Sequence, residues 1–162
     1  MNDFSDLLFT MAGMLLFSML VLHTNAAILA NERIPLRNEF EKTAFTMAQA
    51  LVNEARSMAF DEAVAQGQQP GPLPSSFRQN PGPQAGMERR DFFAFDHFHG
   101  HIDTVYTASG TFRREAQVWY TEGVYPWNPV QGPTFHKYFQ VEVLALQSDA
   151  RVQTGYLRTW YQ

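Results

Sequence analysis

Between Leu7 and Leu22 the chain carries no charged side chain, and only Thr10, Gly13 and Ser18 interrupt the apolar run. Of 12 Lys/Arg and 16 Asp/Glu in 162 residues, only Asp3 and Asp6 fall within residues 1–31, and the first basic side chain is Arg33. A chain patterned this way does not close into one uniform water-soluble globule. A bilayer core takes ~20 mainly apolar residues in a helix, and the stretch 4–29 meets that length. A helix buried on every side needs a larger domain around it than the remaining ~130 residues supply. A cleaved secretory signal begins on basic residues, whereas this run is preceded by acids. The favoured reading is therefore a membrane-inserted helix. Its orientation stays open. Arg33, Arg37 and Lys42 follow the run, which by the positive-inside tendency leaves the C-terminal part in the cytoplasm, and removal of a basic leader reverses that. His23 reads as a neutral, interfacial side chain near the end of the span.

The polarity changes after residue 30, but the helical period continues. Phe40, Ala44, Met47, Ala48, Leu51, Ala55, Met58 and Ala59 recur at steps of three and four, with Glu39, Glu41, Lys42, Glu54 and Arg56 mostly on the other face. Pro35 is expected to kink or locally break this helix, because it lacks an N–H and its ring clashes with the preceding turn. A helix from about residue 4 to 65 is ~90 Å long, too long to be covered by a domain of about 100 residues. Its first half must find lipid or other copies of itself.

Residues 66–86 hold five of the nine prolines and four of the ten glycines and read as a surface loop. Beyond Ala94 the pattern turns to strands, at 102–108, 112–121, 135–147 and 152–160, rich in β-branched and aromatic residues. Phe112, Arg114, Ala116, Val118 and Tyr120 alternate with Arg113, Glu115, Gln117 and Trp119, and Phe139, Val141, Val143 and Ala145 with Gln140, Glu142 and Leu144. Ser109-Gly110 and Ser148-Asp149 suit short hairpin connections, and 123–133 reads as a protruding loop with Tyr125 and Trp127. The expected fold class is α+β, a long N-terminal helix on a four-stranded antiparallel sheet. Its expected parts are an apolar half-helix 1–31, an amphipathic half-helix 32–65, a Pro/Gly-rich loop 66–90 and a sheet domain 91–162.

The chemistry of the chain is sparse. A net charge of −4 gives no basic footprint for nucleic acid, and zero cysteines exclude disulfides, thiolate metal sites and a cysteine nucleophile. No nucleophile elbow, phosphate loop or metalloprotease motif occurs, so neither an enzyme nor a small-molecule substrate or cofactor is expected. The one constellation with ligand chemistry is Asp96, His97, His99, His101 and Asp103. His97, His99 and His101 would share one side of an extended strand, within reach of a metal. Set against this, Gly100 interrupts the strand, and a polar face alternating with buried Phe95 and Phe98 explains the same spacing. Glu88, Arg89, Arg90 and Asp91 read as a solvated or inter-subunit charge cluster.

A long helix, apolar first and amphipathic second, followed by a loop and an antiparallel sheet, resembles the type IV pilin-like family. That resemblance implies a structural subunit of a pilus-like filament serving adhesion, motility or surface contact, with a pseudopilin as a close variant. It implies an inner-membrane precursor whose apolar helix later packs into a helical homo-oligomer at the cell surface. Leu7, Leu8, Met11, Gly13, Leu15, Leu16, Leu20 and Leu22 would then form the filament core, Gly13 permitting local unwinding. The family usually carries an acid shortly after the mature N-terminus, and Asp6 is the nearest match, with Asp3 second. An acid in an apolar assembly must be paired, and the α-amino group of Met1 on a neighbouring subunit is the obvious partner. The stretch 95–103 also looks like the lead into the sheet of some minor pilin-like proteins. The chain departs from the family in having no glycine-phenylalanine junction, no glutamate at the expected place, no proline within the apolar run and no C-terminal cysteine pair. The alternative reading is a single-pass membrane-anchored binding or sensor domain.

Overall fold

The computed structural model describes residues 3–67 and 74–160, without the side chains of Asp3 and residues 30–34. It is α+β, as the pattern requires: helix α1 (Asp3–Ser57), a short helix α2 (Glu62–Ala65), three 3-10 turns and four strands. The α-carbon contacts divide the chain into two units, Met1–Glu39 and Phe40–Gln162. Met1 lies outside the described residues, as does the side chain of Asp3, so the acid–amine pairing expected of them has no geometry here.

In the first unit, α1 is a helix whose apolar side chains face outward, among them Leu7, Leu15, Leu16, Leu20 and Leu22. Three of its hydroxyls are satisfied within the helix. Thr10 donates to the Asp6 carbonyl (2.6 Å), Ser18 to that of Met14 (2.8 Å) and Thr24 to that of Leu20 (2.8 Å). Helix α1 continues through Pro35, which, as expected, does not end the element.

The second unit is built on a meander of β1 (His101–Thr107), β2 (Gly110–Tyr120), β3 (His136–Ala145) and β4 (Arg151–Thr159), antiparallel in the order β1-β2-β3-β4. Phe112 lies opposite Ala145, Val118 opposite Phe139, and Val143 opposite Val152. The face bearing Phe112, Ala116, Val118, Phe139, Val141, Val143 and Ala145 is buried with Ala44, Ala48, Leu51, Val52 and Ala55 of α1. Three of those five helix residues are alanine, which lets backbone and sheet approach closely. Fully burying each large side chain of this core stabilises the fold by about 1.5–3 kcal/mol.

The amphipathic helix ends earlier than its period suggests, at Ser57 rather than near Ala65. The reason is competition for its backbone. Ala59 forms a parallel bridge with Ala94, its N–H donating to the Phe93 carbonyl (3.3 Å) and its carbonyl accepting from Phe95 (2.8 Å). Arg158 from β4 donates to the Met58 carbonyl at 2.7 Å, satisfying one of the acceptors left at the helix end. The chain then restarts at α2, where Asp61 is the N-cap and accepts from the Ala63 N–H at 3.0 Å. A second aromatic cluster, Phe60, Phe77 and Tyr120 with Phe135 and Trp160 against it, closes this end of the sheet.

Candidate functional site

Two parts of the molecule stand out. The first is the apolar segment of α1. Among the described residues, Phe4–Leu29 is long and apolar enough to cross a membrane, with a mean hydropathy of 1.9 over its best window and none of that window buried. Length and composition suit either a membrane anchor or a signal segment. Asp6, Phe9, Thr10, Gly13, Met14, Phe17 and Ser18 lie along one shallow groove of this segment. An added Cβ at Gly13 would meet nothing within 4 Å, so its missing side chain leaves room for a close neighbour.

The second is a set of charged groups inside the sheet domain. The side chains of Lys137, Asp61 and Asp96 are each 0% exposed. Lys137 comes from β3, where the period-2 alternation that buries Phe139 and Val141 also turns it inward, directly opposite Tyr120 of β2. Asp61 is supplied by the cap of α2, and Asp96 by the 3-10 turn Phe95–Phe98. Lys137 Nζ lies 2.6 Å from Asp61 Oδ2 and 3.9 Å from Asp96 Oδ2, and donates to the Phe60 carbonyl at 3.1 Å. The rings of Phe60 and Tyr120 lie 4.7 and 5.0 Å from the same nitrogen. The Tyr120 hydroxyl donates to the Arg78 carbonyl (2.6 Å) and lies 3.2 Å from Asp61 Oδ2.

Burial sets the protonation chemistry here. It raises the Asp96 carboxyl above its ordinary range, against the pull of the Lys137 charge. It lowers Lys137, against the two aspartates. Tyr120 is raised by burial and then by Asp61 and Asp96. Both oxygens of Asp96 are buried with no hydrogen-bond partner among the described residues, and Lys137 Nζ, at 3.9 Å, stands beyond hydrogen-bond reach. A polar rim adjoins the cluster. Glu62 pairs with Arg78 (2.8 Å), accepts from Gln66 (3.2 Å) and from Gln84, and lies 3.7 Å from His97 Nε2.

The sequence pattern missed this cluster. Its signal was Lys137, which continues the inward series of Phe139, Val141 and Val143 by one more alternation. The histidines also differ from expectation. Residues 95–98 form a 3-10 turn rather than an extended strand, so Asp96 and His97 are buried instead of facing solvent. His97 packs 4.5 Å from the Phe93 ring, His99 Nδ1 accepts from the Val118 N–H (3.2 Å), and His101 Nε2 lies 3.5 Å from Asp103. Although His97 and His101 both pack on the Phe92 ring, no group of three or more potential ligands converges on one point among the described residues. Of the Glu88–Asp91 charges, Glu88, Arg90 and Asp91 are solvated, as expected, and only Arg89 turns inward. Glu88 and Asp91 make a reciprocal capping box, while Arg89 pairs with Glu54 at 2.5 Å and lies over the Phe98 ring at 4.4 Å. The loop with Tyr125 and Trp127 folds back on the outer sheet face, Trp127 stacking on Tyr138 at 4.9 Å.

No family model, curated protein or solved structure matches this chain.

Proposed function

We propose that the protein is a structural subunit of a type IV pilus-like filament, held in a membrane by Phe4–Leu29 before assembly. The observation that carries this reading is an apolar segment left wholly uncovered by the chain that bears it, on a helix that continues into the core of a four-stranded antiparallel sheet domain. The uncovered surface needs another solvent, and lipid followed by equivalent segments of other copies supplies it. Lipid tails are as apolar as leucine, so assembly draws on packing, hydrogen bonding and acid–amine pairing rather than on water exclusion. In this reading Asp6 is the acid that meets the α-amino group of a neighbour. Gly13, with open space about it, is where helices approach. The sheet domain coats the filament and makes its surface contacts.

Electron microscopy of material sheared from expressing cells tests the proposal. Regular filaments labelled by an antibody to the sheet domain are the expected result. A chain found only in membrane fractions, with no filaments, overturns it in favour of a single-pass anchored domain.

A further inference from the structure

We infer that Lys137 and Asp61 become joined by an isopeptide bond inside the folded domain, with Asp96 carrying the proton. The inference stands on the sheet domain alone and does not depend on the filament reading.

Three elements distant in sequence, α2, the 95–98 turn and β3, place one amine and two carboxyls in a shared, fully buried space. The nucleophile is in place, its nitrogen 2.6 Å from Asp61 Oδ2. Of the two acids, Asp61 is the acceptor for two reasons. Asp96 is farther away, at 3.9 Å. The other Asp61 oxygen, Oδ1, accepts from the backbone N–H of Ala63 (3.0 Å), while the Arg78 N–H is shared between Oδ1 (3.4 Å) and Oδ2 (3.3 Å). The Ala63 donor faces the oxygen on which negative charge develops when the carboxyl carbon is attacked. Asp96 has no hydrogen-bond partner for its carboxyl oxygens among the described residues and lies beside the amine, 3.9 Å from it, placed to act as acid and base. The Phe60 and Tyr120 rings flank the amine, and a dry surround favours the neutral amine and acid over the ion pair. Holding amine and carboxyl together in this way replaces an encounter by an intramolecular step.

The balance is that of a condensation. The Lys137 ammonium gives one proton to Asp61 Oδ2, leaving a neutral amine and a carboxylic acid. The amine lone pair forms the Nζ–Cγ bond, and the C=O pair moves onto Oδ1. Asp96 takes a second proton from Nζ through one oxygen and gives its own to Oδ2 through the other. The Cγ–Oδ2 bond breaks, water leaves, Oδ1 becomes the amide carbonyl and Nζ keeps one hydrogen. Asp96 ends as it began. Nothing is oxidised or reduced. The product ties the segment following α1 to the central strand β3, so that neither can separate from the other when the domain is pulled or heated.

A tryptic digest of the denatured full-length protein, read by tandem mass spectrometry, decides the matter. Trypsin does not cut after an acylated lysine, so the expected product is peptide 57–78 branched onto an uncut 115–151, lighter than the two together by one water. Recovery of 57–78 as a free peptide, with 115–137 and 138–151 separate, overturns the proposal. In Asp96→Asn, with folding checked by circular dichroism, the separate peptides should predominate. Undiminished branching in that variant overturns the role given to Asp96.

Discussion

The two units invert the usual distribution of polarity, and in opposite senses. Along Phe4–Leu29 the apolar side chains are outside, with Leu15 67% and Leu16 69% exposed. In the sheet domain a lysine and two aspartates are inside, each 0% exposed. The helix solves its polar problem locally, three of its hydroxyls returning to carbonyls three or four residues back, and leaves its apolar surface for another molecule to cover. The domain covers its own apolar surface and then spends part of that interior on charge. Burial of ions is weak ground for stability, because desolvation offsets much of the attraction. Its presence in a small core therefore points to a chemical or specifying role. Exposed leucine in the first unit fits, by the same reasoning, the proposed covering by lipid or other copies.

Changes at the buried cluster should have the largest effect on folding. Lys137→Ala deletes the amine shared by Asp61 and Asp96, and with it the proposed link to Asp61, leaving two acids buried without their partner. It should cost at least about 3–5 kcal/mol, as is usual when one partner of a buried set is deleted. Urea unfolding followed by tryptophan fluorescence measures it. Lys42→Ala, at an exposed position of α1, should change stability by less than about 0.5 kcal/mol. Equal effects of the two would remove the contrast between inside and outside charge. In the apolar unit, Leu15→Arg or Leu16→Arg places a cation near the middle of the span, at a cost of about 2.5–3.5 kcal/mol on insertion scales. Filaments should disappear while the isolated 32–162 domain stays folded. Normal filaments from either variant would show that this surface is not covered by copies of itself. Asp6→Ala should slow assembly more than Asp103→Ala does, and equal rates would take the acid–amine role from Asp6.

The fold was largely legible because both of its periods are clean. Steps of three and four place Ala44, Ala48, Leu51 and Ala55 on one helical stripe, and strict alternation fixes the inward faces of β2 and β3. What sequence could not supply was long-range capture. The early end of α1 comes from residues 93–95 and from Arg158, some 35 and 100 positions away in sequence. The same holds for the buried cluster. Asp61 reads locally as an ordinary helix cap and Asp96 as part of a histidine-rich polar stretch. Only the pairing of Tyr120 with Lys137 brings the amine over them. Lys137 alone carries a signal in the sequence, as a charge one alternation before the inward series of Phe139, Val141 and Val143, and it is not among the residues that the sequence reading singles out.

The smallest expected effect lies at the partly exposed edge of the sheet, where charge is neither buried nor free. Asp103 on β1 accepts from Arg114 Nε at 2.8 Å across the β1–β2 ladder, and His101 stands 3.5 Å away. Burial alone would raise the Asp103 carboxyl, but the hydrogen bonds and charge of Arg114 outweigh it and hold the group below its ordinary 3.8. Burial lowers His101 below its ordinary 6.5, Asp103 only partly opposing it. Both folded-state values are depressed, so both contributions are complete above the ordinary values and decline as pH falls through them toward the folded ones. The share of stability that this pair carries should thus fall in two steps on acidification, one starting near 6.5 and one near 3.8, whereas the raised Asp96 acts in the opposite sense. His101→Gln should remove the first step and leave the second. Asp103→Asn should flatten the lower step and cost only about 0.2–1 kcal/mol at neutral pH, the usual worth of a solvent-accessible pair. A loss at neutral pH as large as that of Lys137→Ala would mean that edge and interior charges are equivalent in this domain, and the inversion between its surface and its core would no longer distinguish the buried cluster.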